Sequence, residues 1–149
     1  MMGALDQRVK LGRSLSCGAR ARAPSPLGGA IVGPTVTTRD GRIEGVERDG
    51  VHVFRGIPYA RPPVGPLRWR APRPPQAWTG VRDATKAGFA APQVPGATER
   101  IMPGPALETD EDCLTLNVWT PSTPAPPRPV MVWIHGGGFL TGAGSLPIY

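Results

Sequence analysis

Cysteine and histidine are nearly missing from this chain, and each scarcity closes off a class of explanation. Cys17 and Cys113 are the two cysteines among 149 residues, too few for the disulfide framework of a small secreted scaffold. Pairing them would tie an irregular leader to the body, so no structural disulfide is expected and a reducing, cytoplasmic setting is favoured. The two histidines, His52 and His135, stand far apart. The acid run Asp110-Glu111-Asp112 has no histidine or cysteine set at ligand spacing, so no metal and no cofactor is expected. Long apolar runs are missing too: nothing approaches the eighteen or so residues that a spanning helix needs, and no membrane association is expected.

Uninterrupted helical stretches are equally scarce. Twenty glycines and twenty prolines punctuate the sequence, which leaves little room for a helix of three turns and predicts a loop-rich, strand-leaning chain. The formal charge of +6 is uneven: residues 1–30 hold five basic groups against Asp6, and the remainder holds twelve against ten. A nucleic-acid surface needs its basic excess on a folded face, and here it lies in the leader. No nucleic-acid partner is expected. The positives Arg8, Lys10, Arg13, Arg20 and Arg22 run through the place where a secretory apolar core would sit. Residues 1–34 therefore read as a basic, disordered leader or a misplaced start, with an Arg-rich transit peptide as the functional alternative, and residues 35–149 as one domain.

Within that domain, Val36–Thr38, Arg42–Arg48 and Val51–Ile57 read as short antiparallel strands. Asp40-Gly41 and Asp49-Gly50 punctuate them as hairpin turns, because both residue types tolerate positive φ. From Pro58 to Pro75 recurrent prolines force an extended, irregular path, and Leu67, Trp69 and Trp78 supply bulk to pack it onto a surface. Residues 83–110 show no sustained period and read as loop. Leu114, Leu116 and Val118 alternate with Thr115, Asn117 and Trp119, which predicts a strand with one apolar face on a core. Val130-Met131-Val132-Trp133-Ile134 is continuously apolar, as in a parallel strand covered on both faces.

That run ends in His135-Gly136-Gly137-Gly138-Phe139. Three glycines after a core strand leave amide N–H groups bare, so a substrate can come within hydrogen-bonding distance of the main chain. Acyl transfer uses such donors: an attacked ester carbonyl becomes an oxyanion, and each preorganised donor aimed at it is worth about 3–4 kcal/mol. Rival uses of a glycine loop fail on the residues. A phosphate loop starting at Gly137 would need Lys at position 143, which is Ala143. A dinucleotide fingerprint would need a small residue at Thr141, or no proline at Pro147. A glycine turn without a role is the remaining structural alternative.

Three blocks together resemble the type-B carboxylesterase family, which includes cholinesterases and bacterial para-nitrobenzyl esterases. They are Phe54-Arg55-Gly56-Ile57-Pro58-Tyr59-Ala60 with Pro62-Pro63-Val64-Gly65 and Leu67-Arg68-Trp69-Arg70; Glu111 through Trp119; and Val132 through Phe139. The resemblance covers about Thr35 to Tyr149. It implies the α/β-hydrolase fold, here an incomplete N-terminal portion with a small antiparallel meander and the first strands of a large mixed sheet. It implies a serine carboxylic ester hydrolase acting on a small-molecule ester, with Gly137 and Gly138 as oxyanion-hole N–H donors. It also makes Arg68 and Glu111 a buried scaffold ion pair, and His135 a residue that orders the loop by hydrogen bonding. His52 is expected to be an ordinary strand residue.

No serine here sits in Gly-x-Ser-x-Gly, so the nucleophile, its acid and its histidine are expected beyond Tyr149, and the 149-residue chain alone is expected to be inactive and poorly soluble. Two departures from the family pattern matter. Ala91 stands where relatives place the disulfide partner of Cys113, which predicts a free, buried thiol, and position 115 is Thr where an aromatic is common. A non-catalytic adhesion relative of the same fold stays open as the alternative. The pattern fixes no oligomeric state.

Overall fold

The computed structural model describes residues 33–94, 101, 107–122 and 126–146. Residues 1–32, which include Cys17 and most of the leader, lie outside the described residues, and so does Pro147. Among the described residues, six strands follow in chain order: β1 (Thr35–Thr37), β2 (Arg42–Glu44), β3 (Val46–Arg48), β4 (Val51–Pro58), β5 (Val81–Asp83) and β6 (Thr115–Pro121). They form two three-stranded sheets, one ordered β1-β2-β5 and the other β3-β4-β6. The expected meander is thus divided between two sheets, and its middle segment is broken at Gly45. A Cβ there would come within 2.6 Å of the Phe54 ring, so only glycine lets the chain cross β4 this closely.

The two Asp-Gly turns differ. Asp49 and Gly50 take φ of 51° and 75° between Arg48 and Val51, which face each other across β3 and β4. That is the primed two-residue hairpin the sequence predicts. Around Asp40-Gly41 the turn is built by Thr38 instead, whose hydroxyl donates to the Gly41 carbonyl at 2.7 Å and accepts from the Asp40 and Gly41 amides at 3.2 Å. The three-residue β5, parallel to β2, is too short and too charged to show a period.

β4 and β6 pair antiparallel with one irregularity. Phe54 faces Val118 and Ile57 faces Leu116, so Arg55 and Gly56 together oppose the single residue Asn117. This is a β-bulge, and both displaced amides find partners. Arg55 N–H donates to the Ala84 carbonyl at 2.7 Å, and Gly56 N–H donates to Asn117 Oδ1 at 3.1 Å. Ala84 N–H in turn donates to the Glu44 carbonyl at 2.8 Å, joining one sheet to the other. At this junction lies a small core of Ile43, Phe54 and Ala84, flanked by Val36, Ile57 and Trp78.

Trp78 behaves as the sequence predicts, with its indole N–H on the Arg42 carbonyl at 2.8 Å and its ring against Gly41. Trp69 does not: it is 88% exposed and at positive φ, past the 3-10 turn Gly65–Leu67. The face of β6 carrying Leu116 and Val118 is also open, because β6 ends its sheet and nothing among the described residues covers it. The larger departure is at residues 130–134. They form no strand and are exposed throughout, Met131 to 92%. A strand meant to be covered on both faces gains its ladder and its burial from flanking strands, and no described strand pairs with these residues.

Gly56 and Gly80 both take positive φ, 65° and 77°, but a Cβ on Gly56 would lie 2.7 Å from the Lys86 carbonyl whereas one on Gly80 meets nothing within 4 Å. Gly80→Ala should therefore cost only backbone strain, about 1–2 kcal/mol, and Gly56→Ala clearly more. Urea unfolding followed by tryptophan fluorescence compares the two, and equal costs would contradict the close crossing.

Candidate active site

The glycine loop is closed on itself by main-chain bonds. The Gly137 carbonyl accepts from Leu140 N–H at 3.1 Å and from Thr141 N–H at 3.2 Å. Such a tight turn requires left-handed backbone, found at Gly137 (φ 122°), Gly138 (φ 61°) and Phe139 (φ 63°). A Cβ on Gly137 would run into the Thr141 carbonyl, so glycine is obligatory there. The N–H groups of Gly136, Gly137 and Gly138 have no partner among the described residues, and these three residues are exposed. Exposed, side-chain-free amides, left-handed at Gly137 and Gly138, are able to donate to an anionic oxygen.

Two polar side chains that sequence reasoning passed over hold this loop on the scaffold. Gly142 N–H donates to Gln93 Oε1 at 2.6 Å, and Gln93 Nε2 donates back to the Gly142 carbonyl at 3.0 Å. The same Nε2 donates to the Ala91 carbonyl at 3.0 Å, fixing the amide at its base. Asn117, which satisfies the β4 bulge, reaches the Gly144 carbonyl with Nδ2 at 3.4 Å. Between these two tethers Ala143 is buried, the single buried residue of the described part of the loop. Asn117 stood inside a family block and Gln93 outside all three, and their partners are 27 and 49 residues away in the chain, a separation no local pattern reveals.

His135 orders the loop at short range: its Nδ1 lies 2.8 Å from the Gly136 carbonyl. His52 is a β4 residue against Glu47, Nε2 to Oε2 3.3 Å. Arg68 and Glu111 pair, Nε to Oε1 2.6 Å, yet their side chains are 55% and 40% exposed. The pair is thus formed but not buried, since nothing among the described residues roofs it. In the acid run, Glu111 is taken by Arg68, and the Asp110 carboxylate accepts from Asp112 N–H at 2.7 Å. A cavity of about 410 Å³ lies against Pro66, Leu67, Arg70 and Arg73, and no residue of the glycine loop lines it.

Cys113 is a free thiol, half-buried where deep burial was expected. Burial is the main cause that pushes its pKa up, with Asp112, Asp110 and Glu111 adding to it against a backbone hydrogen bond. The Tyr59 hydroxyl is raised as well, by burial first and by Cys113 second. Asp83 is held low by its hydrogen bonds from Thr85. A raised thiol is mostly protonated at neutral pH, and the thiolate is the reactive form. The iodoacetamide alkylation rate of the Cys113 peptide, followed by mass spectrometry against pH, should therefore have its midpoint above the ordinary value of about 8.5. A lower midpoint would show an activated thiol.

Comparison with known proteins gives a consistent picture. The family model described as "Carboxylesterase family" matches residues 32–149. The chain is 54% identical over 121 residues to phenmedipham hydrolase of Pseudarthrobacter oxydans, covering 80% of this chain and 24% of that protein. It is 49% identical over 114 residues to para-nitrobenzyl esterase of Bacillus subtilis (strain 168), covering 76% and 23%. A solved PNB esterase superposes with a TM-score of 0.72 at 49% identity, over 77% of this chain and 24% of that one. The chain thus spans about a quarter of the length of these relatives.

Proposed function

Since this chain belongs to the carboxylesterase family, we propose that its glycine loop supplies the oxyanion-hole donors of a serine carboxylic ester hydrolase. Its fold is the α/β-hydrolase fold of the PNB esterases, of which the two small sheets are part of an N-terminal portion. The observation that carries the proposal is the set of unpartnered N–H groups at Gly137 and Gly138, held in left-handed backbone by a self-closed turn. Gly-x-Ser-x-Gly is absent from residues 1–149. In this reading the nucleophile, its acid and its histidine lie outside residues 1–149.

In this reading the serine hydroxyl gives its proton to the histidine as its oxygen adds to the ester carbonyl, and the carbonyl oxygen takes up negative charge. The Gly137 and Gly138 amides donate to that oxygen. They cost no reorganisation at that moment, because the turn already holds them in place. Collapse expels the alcohol, which takes that proton from the histidine, and leaves an acyl-enzyme that water then hydrolyses to the carboxylic acid and free serine. Bare glycine on both donors keeps side chains out of the approach path, consistent with relatives whose names denote ester hydrolysis. The substrate is a small-molecule carboxylic ester, and the reaction draws on no cofactor.

The test uses the esterase polypeptide that carries this segment together with its nucleophile, with a para-nitrophenyl ester as substrate. Gly137→Ala forces a Cβ onto the Thr141 carbonyl and turns the donors away. It should lower kcat by about 100-fold or more while KM changes little. Gly138→Ala meets no neighbour within 4 Å and should be the milder lesion. The 149-residue chain alone should show no burst of para-nitrophenol. A burst from that chain, or wild-type kcat in Gly137→Ala, refutes the reading.

A further inference from the structure

We propose that Gln93 is a positioning residue for the glycine loop, its carboxamide acting as a clamp that sets the direction of the Gly137 and Gly138 amides. The inference rests on the oxyanion reading above and extends it to a residue outside the loop.

The Gln93 side chain treats Gly142 as a neighbouring strand would, accepting from its N–H at 2.6 Å and donating to its carbonyl at 3.0 Å. Two antiparallel bonds from one planar amide fix both the position and the tilt of a peptide unit, which a single bond does not. The clamp is itself held, because the same Nε2 donates to the Ala91 carbonyl at 3.0 Å. Ala90 beside it pairs with Thr109 and exchanges hydrogen bonds with Glu108 and Asp110. Gln93 thus stands on a braced segment.

From Gly142 the constraint reaches the donors through van der Waals contact and hydrogen bonds. A Cβ added at Gly142 would lie 2.5 Å from the Gly136 carbonyl and 2.8 Å from His135 Nδ1, so this residue is packed directly onto the start of the loop. Thr141, its neighbour, donates to the Gly137 carbonyl at 3.2 Å. The peptide unit that ends in the Gly138 N–H begins with that Gly137 carbonyl. Rotating it changes the aim of the Gly138 N–H, and the bond from Thr141 resists that rotation. Residues 130–134, on the other side, offer the loop no strand to lean on. The loop is therefore held from its C-terminal side, by Gln93, by the buried Ala143 and by the longer Asn117 contact to Gly144.

A clamp that only stabilises the fold and a clamp that aims the donors predict different kinetics. In the full esterase polypeptide, Gln93→Ala should lower kcat by about 10- to 100-fold with KM within about twofold, since misplaced donors weaken the transition state and not the bound ester. Gln93→Glu keeps an acceptor for Gly142 N–H and loses the donor, and should recover part of kcat. Amide hydrogen exchange at Gly142 should rise in Gln93→Ala while exchange at Ile43 and Phe54 stays as in the parent, which separates loss of the clamp from global unfolding. If Gly137→Ala abolishes turnover but Gln93→Ala leaves kcat at the parent value, the clamp proposal is overturned and the oxyanion reading stands. If neither variant changes kcat, both fall.

Discussion

A bulge at Arg55–Gly56 decides how this scaffold holds together, because inserting one extra residue into β4 turns two amides out of the β4–β6 ladder. One reaches Ala84 and through it Glu44, so the hydrogen bonds of one sheet continue into the other. The second reaches Asn117, whose other end touches the glycine loop at Gly144. A regular strand would satisfy both amides within its own sheet and connect nothing. The core of Ile43, Phe54 and Ala84 is small. Its burial alone would hold three three-residue strands and a hairpin only weakly, and the bulge adds directional bonds where apolar area is short.

Glycine makes those approaches possible at the cost of strain and freedom elsewhere in the chain. Gly45 lets the chain pass β4 between the sheets, Gly56 lets β4 meet the main chain near Lys86, and Gly137 lets the loop fold onto Thr141. In each place the contact is backbone against backbone or ring. The abundance of glycine in this sequence therefore has two separate meanings, turns at Gly50 and Gly80 and close crossings at the other three.

How much of this was legible beforehand follows from the range of each interaction. The Asp49-Gly50 hairpin, β4 and β6 announce themselves through local chemistry and a period of two, and the structure has them where the residues indicate. The glycine loop was legible for the same reason, as bare backbone next to an apolar run. The Gln93 clamp was not, because an amide 49 residues from its partner leaves no local trace. The run at residues 130–134 was read as a covered strand from its composition alone. Composition states what a segment can bury and says nothing of whether its neighbours are present. The Arg68–Glu111 pair and the face of Leu116 and Val118 differ from expectation for the same reason.

The uncovered apolar run also bears on how a cell would make such a polypeptide. Five consecutive residues of high β-propensity and no charge are a nucleus for cross-strand association between nascent chains. Pro126, Pro127 and Pro129 precede the run directly. Lacking N–H groups, they cannot extend a foreign ladder past its N-terminal edge, and on the far side the left-handed turn at Gly137 and Gly138 stops it as well. The segment is thus bracketed by gatekeepers on both sides.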